Sequence, residues 1–216
     1  MILQRCNQVT NNAMSDVVGA QYRLFVAVMV PEEVKAEIER AQAELRRALP
    51  EARVTWTRPE QFHLTLKFLA HVEAQRVGEL VEAACRSCGG FAALRLRAEG
   101  VGCFPDARFP RVVWVGVRDE QDQLPRLQRA VEAAAGSFSA EARPERFSGH
   151  VTLGRIKGLG RPEAEGLARL AGAMAERFFG QWTADRLEIM RSELSPKGAR
   201  HTSLATVALG ARPGAA

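Results

Sequence analysis

The chain has 216 residues, 46% of them apolar and 25% charged. That balance excludes a disordered polyelectrolyte and suits one domain or two small, intimate lobes. The formal net charge of +5 favours an anionic partner such as a nucleic acid or a phosphate ester, although basic and acidic residues are interspersed rather than blocked.

Residues 1–20 are polar and aperiodic and read as a disordered leader, with Met14 a candidate start. No basic stretch followed by an apolar core marks a secretory signal, and no apolar run approaches the ~20 residues of a membrane span. The expectation is a cytoplasmic protein with no membrane contact. Residues 22–30 (YRLFVAVMV) suit a buried strand. Pro31 opens a helix to about residue 49, with Val34, Ile38, Ala41 and Leu45 at helical spacing, and Pro50 stops it. A short strand at 54–57 is broken by Pro59. Residues 63–69 alternate again, which predicts His63, Thr65 and Lys67 on one face and Leu64, Leu66 and Phe68 on the other. A helix follows at 73–87 and ends at Gly89-Gly90.

Strands are predicted at 91–99 and 111–117, around a Gly/Pro-rich connection at 100–110. A helix is predicted over 122–135 and a polar linker over 137–146. A strand at 147–155 sets His150 and Thr152 on one face. Residues 161–177 read as a helix. Two strands, 182–191 and 202–209, are joined by a turn at 195–198, before a flexible tail at 211–216. The four cysteines include the CxxC of Cys85 and Cys88. It lacks a second pair for zinc and the strand-to-helix entry of a redox motif, so all four read as reduced thiols.

The organising feature is a repeat. Each half supplies a strand, a helix and an HxTx strand followed by another helix. Two such halves predict two similar lobes that face each other. With eight threonines in the chain, a histidine meets Thr two residues on with a chance of ~4%; two matching hits among four histidines are of order one in a few thousand. One motif alone is better explained as a structural histidine beside a β-forming Thr. Two in matching settings are not. They would bring two imidazoles, which titrate near neutrality, and two hydroxyls across one cleft. One ring can act as base and the other as acid while hydroxyls hold phosphate oxygens, which is what hydrolysis of a cyclic phosphodiester requires. No GxxxxGK[ST], GxGxxG after a strand, HExxH or GxSxG is present, so no nucleotide cofactor, metal or serine triad is expected.

QFHLTLKFLAHV (61–72) and GHVTLGRIK (149–157) resemble the paired motifs of the 2H phosphoesterase superfamily, in its RNA 2′,3′-cyclic phosphodiesterase (2′-5′ RNA ligase-like) branch. The RLFVAV, PRVVWVGV and SELSPKGARHTSL segments are similar to that family too, so the resemblance runs from about residue 22 to 209. It implies an α+β fold over 21–210 with two pseudo-symmetric lobes, each an antiparallel sheet with outer helices, around a central cleft. It implies hydrolysis of RNA 2′,3′-cyclic phosphate ends to 2′-phosphomonoesters by a monomer. RNA ends or cyclic nucleotides are then the substrate. His63 resembles the proton donor and His150 the acceptor; Thr65, Thr152 and Arg155 would hold the phosphate. The chain departs from the pattern at Gly149, where proline is common, at Gly154, where Ala is usual, and at 70–72.

Lys67 reads equally as a cleft charge or a rim charge. His71 reads as a surface residue beyond its strand, and His201 as a residue outside the chemistry. Phe62 and Phe147 read as core. Arg58 and Arg146 carry no decisive signal. Rival readings are an RNA-end binding module, a reversible 2′-5′ ligase, or an esterase of small cyclic nucleotides.

Overall fold

A computed structural model describes residues 19–138, 147–196 and 198–210. The leader to residue 18, Cys6, Met14, most of the 137–146 linker with Arg146, and the tail lie outside the described residues.

Strand β1, Gln21–Met29, is almost wholly apolar because it lies inside a sheet with both faces covered. Helix α1, Glu32–Ala48, follows Pro31; Glu32 and Glu33 in its first turn and Arg46 and Arg47 in its last complement the helix dipole. Then come β2, Arg53–Trp56; β3, His63–Glu73; α2, Val77–Cys88; β4, Leu94–Phe104; and β5, Val112–Asp119. The Asp119 carboxylate accepts the backbone N–H of Leu124 at 2.9 Å and opens α3, Leu124–Ala135. The chain closes with β6, His150–Gly158; α4, Arg161–Ala173; β7, Phe178–Ala184; β8, Arg186–Ser195; and β9, Gly198–Ala208.

The strands form one antiparallel sheet in the order β7-β4-β5-β6-β3-β1-β8-β9, with β2 beside β6. It is a five-stranded half-sheet (β7, β4, β5, β6 and β2) and a four-stranded one (β3, β1, β8 and β9), joined by a single residue pairing, Leu64 with Val151. The halves of the chain are interlaced. Strand β4 of the first half pairs with β5, and β8 of the second pairs with β1. Helix α1 packs on β7 and α4, whereas α3 packs on β3 and α2. Each half thus lends its first helix to the other's sheet. The main core, centred on Leu24, Ile38, Leu64, Leu69, Leu127, Val151 and Leu153, is continuous through both lobes.

Four readings need correction. Strand β3 runs on to Glu73 because β1 continues to pair with it as far as Gln21; His71 therefore lies in the strand, exposed. Strand β4 continues past Gly100 to Phe104, because β5 pairs with it throughout around a bulge at Gly100. Helix α4, read over 161–177, stops at Ala173, and the Phe-Phe-Gly segment between that helix and the strand read from 182 is recruited by β4 as the start of β7. Cys88 and Cys103 are free thiols, pushed up to about 11 chiefly by burial, but Cys85 is disulfide-bonded. The CxxC does not close on itself: its two residues sit three apart within α2, and Cys88 points into the core.

Candidate active site

The pairing of Leu64 with Val151 falls one residue after each HxTx histidine, so the seam between the half-sheets sets His63 and His150 beside each other. Both rings line one cavity of about 480 Å³, with Thr65, Thr152 and Arg155. All five residues read from the sequence as site residues meet there.

The two rings are held by the same device. His63 Nδ1 lies 2.7 Å from the Gln61 carbonyl and His150 Nδ1 lies 2.8 Å from the Ser148 carbonyl. A carbonyl only accepts, so each Nδ1 carries the proton and each Nε2 keeps a lone pair. Aromatic walls fix the ring planes. Phe25 stacks on His63 with centroids 4.7 Å apart. Phe104 meets His150 edge-on at 5.0 Å, with Trp114 behind it at 6.3 Å.

Burial pushes the His63 pKa down to about 4 against the pull of the Gln61 carbonyl; the charges of His201, His150 and Lys35 act in the same direction as burial. Burial also lowers His150, opposed by the Ser148 carbonyl and reinforced by Arg155. At neutral pH both rings of the free protein are neutral. A bound anion between them reverses the sign of the local field and favours a proton on one.

The path of each strand explains which neighbours reach the cavity. From His63 the side chains go cleft, core, cleft, core, core, cleft; from His150 they follow the same course. Strand β3 bulges at Leu66, where Val26 and Ala27 face Lys67 and Thr65. Strand β6 bulges at Leu153, where Val113 and Trp114 face Gly154 and Thr152. The β6 bulge returns Arg155 to the cleft at an odd spacing from His150. The β3 bulge turns Lys67 away. Lys67 is 6% exposed on the helix side, 2.9 Å from Glu132 of α3, so it is neither a cleft charge nor a rim charge. Phe68 takes the cleft position, with Arg23 over its ring at 5.2 Å.

The glycines that depart from the expected pattern have steric causes. A Cβ on Gly149 would stand 2.6 Å from the Val117 carbonyl, so only glycine lets the start of β6 close on β5. A Cβ on Gly154 would stand 2.9 Å from the Trp56 ring, which occupies that space and lines the cavity.

His201 of β9 lies inside the site, 5.4 Å from His63 and 4.9 Å from Phe25 between ring centroids. Its HTSL setting suggests a residue outside the chemistry; the register of β9 with β8, which puts it opposite Ser192, brings it in. Arg58 lines the cavity and donates to the Ala199 carbonyl at 3.3 Å. Phe62 is core and Phe147 packs against it, as read. Phe25, Phe104 and Trp114 escape sequence reasoning: Phe25 and Trp114 lie in strands apolar on both faces, where alternation marks neither, and Phe104 falls in the segment read as a Gly/Pro-rich connection. Among the described residues no three His, Cys, Asp or Glu side chains gather as a metal ion requires, and no helix is long and apolar enough to cross a membrane.

A family model described as LigT like Phosphoesterase matches twice, over residues 28–114 and 115–201. The chain belongs to that family. Each match contains one HxTx strand, so the LigT-like repeat and the internal repeat coincide. A Methanothermobacter thermautotrophicus protein named RNA 2′,3′-cyclic phosphodiesterase is 31% identical over 84% of this chain and 96% of its own length. A Thermus thermophilus protein of the same name is 31% identical over 84% of this chain and 87% of its own. A crystal structure of a Thermus thermophilus protein superposes with TM-score 0.69 at 29% identity, covering 86% of this chain and 97% of that one. Apo LigT of E. coli superposes with TM-score 0.67 at 25% identity, over 88% and 98%. The interlaced two-lobed α+β fold is therefore that of LigT-like phosphoesterases.

Proposed function

We propose that this LigT-like phosphoesterase is an RNA 2′,3′-cyclic phosphodiesterase that opens the cyclic phosphate to a 2′-phosphomonoester. The observation that carries the reading is the pair of HxTx strands presenting two Nε2 lone pairs and two threonine hydroxyls to one cavity. The names of the relatives supply the substrate class, and E. coli LigT has been crystallised with phosphate.

His150 Nε2 takes a proton from water as the water oxygen bonds to phosphorus. The bond from phosphorus to the 3′ oxygen breaks, and His63, protonated in the substrate's field, gives its Nε2 proton to that oxygen. Thr65 and Thr152 donate to the nonbridging oxygens, and Arg155 balances their charge. The carbonyls of Gln61 and Ser148 hold each ring in register and stabilise its protonated form.

The test is turnover of a 2′,3′-cyclic nucleotide in EDTA, with the product identified by phosphorus NMR. A 2′-phosphomonoester is expected at undiminished rate. His63→Ala and His150→Ala should each lose about 10²–10⁴-fold in kcat. Near-normal turnover in either variant overturns the mechanism, and saturable binding without product makes the protein a binding module.

A further inference from the structure

Strand β2 is short and lies beside the part of β6 that has diverged from β3. Its register pairs Thr55 with Arg155 and Arg53 with Gly158. Thr55 and Arg155 line the catalytic cavity. Beyond them, on the same edge, lie Lys157 and Arg53, both exposed, and the Arg53 guanidinium folds across Gly158. Positively charged side chains therefore continue outward from the phosphate position along β6 and β2.

These cations differ from Arg97, Arg118 and Arg177 of the same lobe in being uncommitted. Arg97 and Arg118 share the Glu99 carboxylate, and Arg177 is held by Glu44 at 2.9 Å. Among the described residues Arg53, Arg155 and Lys157 make no ion pair, and Glu51, the carboxylate nearest to Arg53 in the chain, makes none with it. Three unpaired cations in a row hold counterions whose release favours a polyanion. Side chains two apart on a strand stand roughly 7 Å apart, close to the repeat of an extended sugar–phosphate backbone.

We propose that Arg53 and Lys157, continuing from Arg155, bind the backbone phosphates of the nucleotides 5′ to the cyclic end, so that the protein acts on RNA in preference to a mononucleotide. The inference rests on the phosphodiesterase reading above and adds the direction in which the polymer leaves the site. Neither residue touches the cavity that holds the cyclic phosphate.

The experiment compares kcat/KM for a cyclic-ended oligoribonucleotide and for a 2′,3′-cyclic mononucleotide in wild type and in the double variant Arg53→Gln/Lys157→Gln. The oligonucleotide value should fall about tenfold, and the slope of log kcat/KM against log salt should flatten by about 1.4, at ~0.7 per lost phosphate contact. The mononucleotide value, which also reports folding, should stay within about twofold. Arg97→Gln/Arg118→Gln should change neither. An unaffected oligonucleotide, or equal losses on both substrates, overturns the track. Fluorescence anisotropy with a single-stranded RNA ending in a 3′ hydroxyl separates the two claims. Weaker RNA binding by the variant, with no turnover of any cyclic phosphate by wild type, leaves the track standing and removes the phosphodiesterase reading. Undiminished binding by the variant, with normal turnover, does the reverse.

Discussion

From each HxTx histidine the chain takes the same course: a threonine into the cleft two residues on, a leucine into the core, a bulge at that leucine, and the fifth residue back into the cleft. What the two strands deliver then differs. Strand β3 buries Lys67 against Glu132 and offers Phe68 to the cleft; β6 tucks Gly154 under Trp56 and offers Arg155. The surroundings of the rings differ in the same sense. His63 is enclosed by Phe25 and His201, whereas His150 has Phe104 at its edge and a guanidinium near enough to lower its pKa. The repeated backbone thus fixes where hydroxyls and imidazoles stand, while the positions four and five residues on make one half-site apolar and enclosed, the other cationic.

The largest stability effect should come from behind the cleft. Lys67 and Glu132 are both buried, and Gln128 also donates to the Glu132 carboxylate, at 3.1 Å. Glu132→Ala leaves a buried ammonium without its carboxylate and should lower the unfolding free energy by about 3–5 kcal/mol in urea titrations. Lys67→Met with Glu132→Leu removes both charges and should recover most of that loss. If the single and double variants are equally unstable, the pair is not what holds the bulge side of β3 to α3. The matching test on β6 is Gly154→Leu, which overfills the space under Trp56 and should cost about 1–3 kcal/mol.

Activity should respond next to the threonines, where the halves are alike. Thr65→Val and Thr152→Val keep the strand shape and remove one hydrogen bond to a charged phosphate, worth about 1.5–3 kcal/mol. Each should lower kcat/KM by about 10- to 100-fold. A loss confined to one of them would break the symmetry of phosphate binding and leave the other as a strand former only.

Much of this is legible in the sequence, and the misreadings have one physical root. The repeat, the HxTx strands and the five residues that meet in the cavity follow from alternation and from resemblance. Strict alternation puts Lys67 in the cleft because it assumes an unbroken ladder. The contrary sign is present: Arg155 lies an odd number of residues from His150, so both can share a face only if β6 bulges between them, and the repeat extends that inference to β3. The aromatic walls are hidden for another reason. Phe25 and Trp114 sit in strands with both faces covered, and such strands carry no periodicity to read. His201 depends on the long-range register of β9 with β8, which no local pattern encodes.

The sharpest separation of the two rings is by pH. The ordinary histidine value is 6.5, and folded His63 titrates at about 4. Between those values the unfolded chain binds a proton there that the folded chain does not, so stability falls as pH drops through this window and levels off below it. In His63→Asn protein, urea titrations at pH 7 and pH 5 should differ less than in wild type. A bound 2′-phosphate product should then distinguish the roles. NMR titration of the free protein should show His63 protonating near 4, and the phosphate complex should raise it by at least about one unit, or ~1.4 kcal/mol of interaction with the anion. A ring that stays near 4 in the complex carries almost no proton at neutral pH and cannot serve as the donor. The donor role would then pass to His150, whose pKa is also lowered by burial but which sits in the more open half-site, and His63 would become the base.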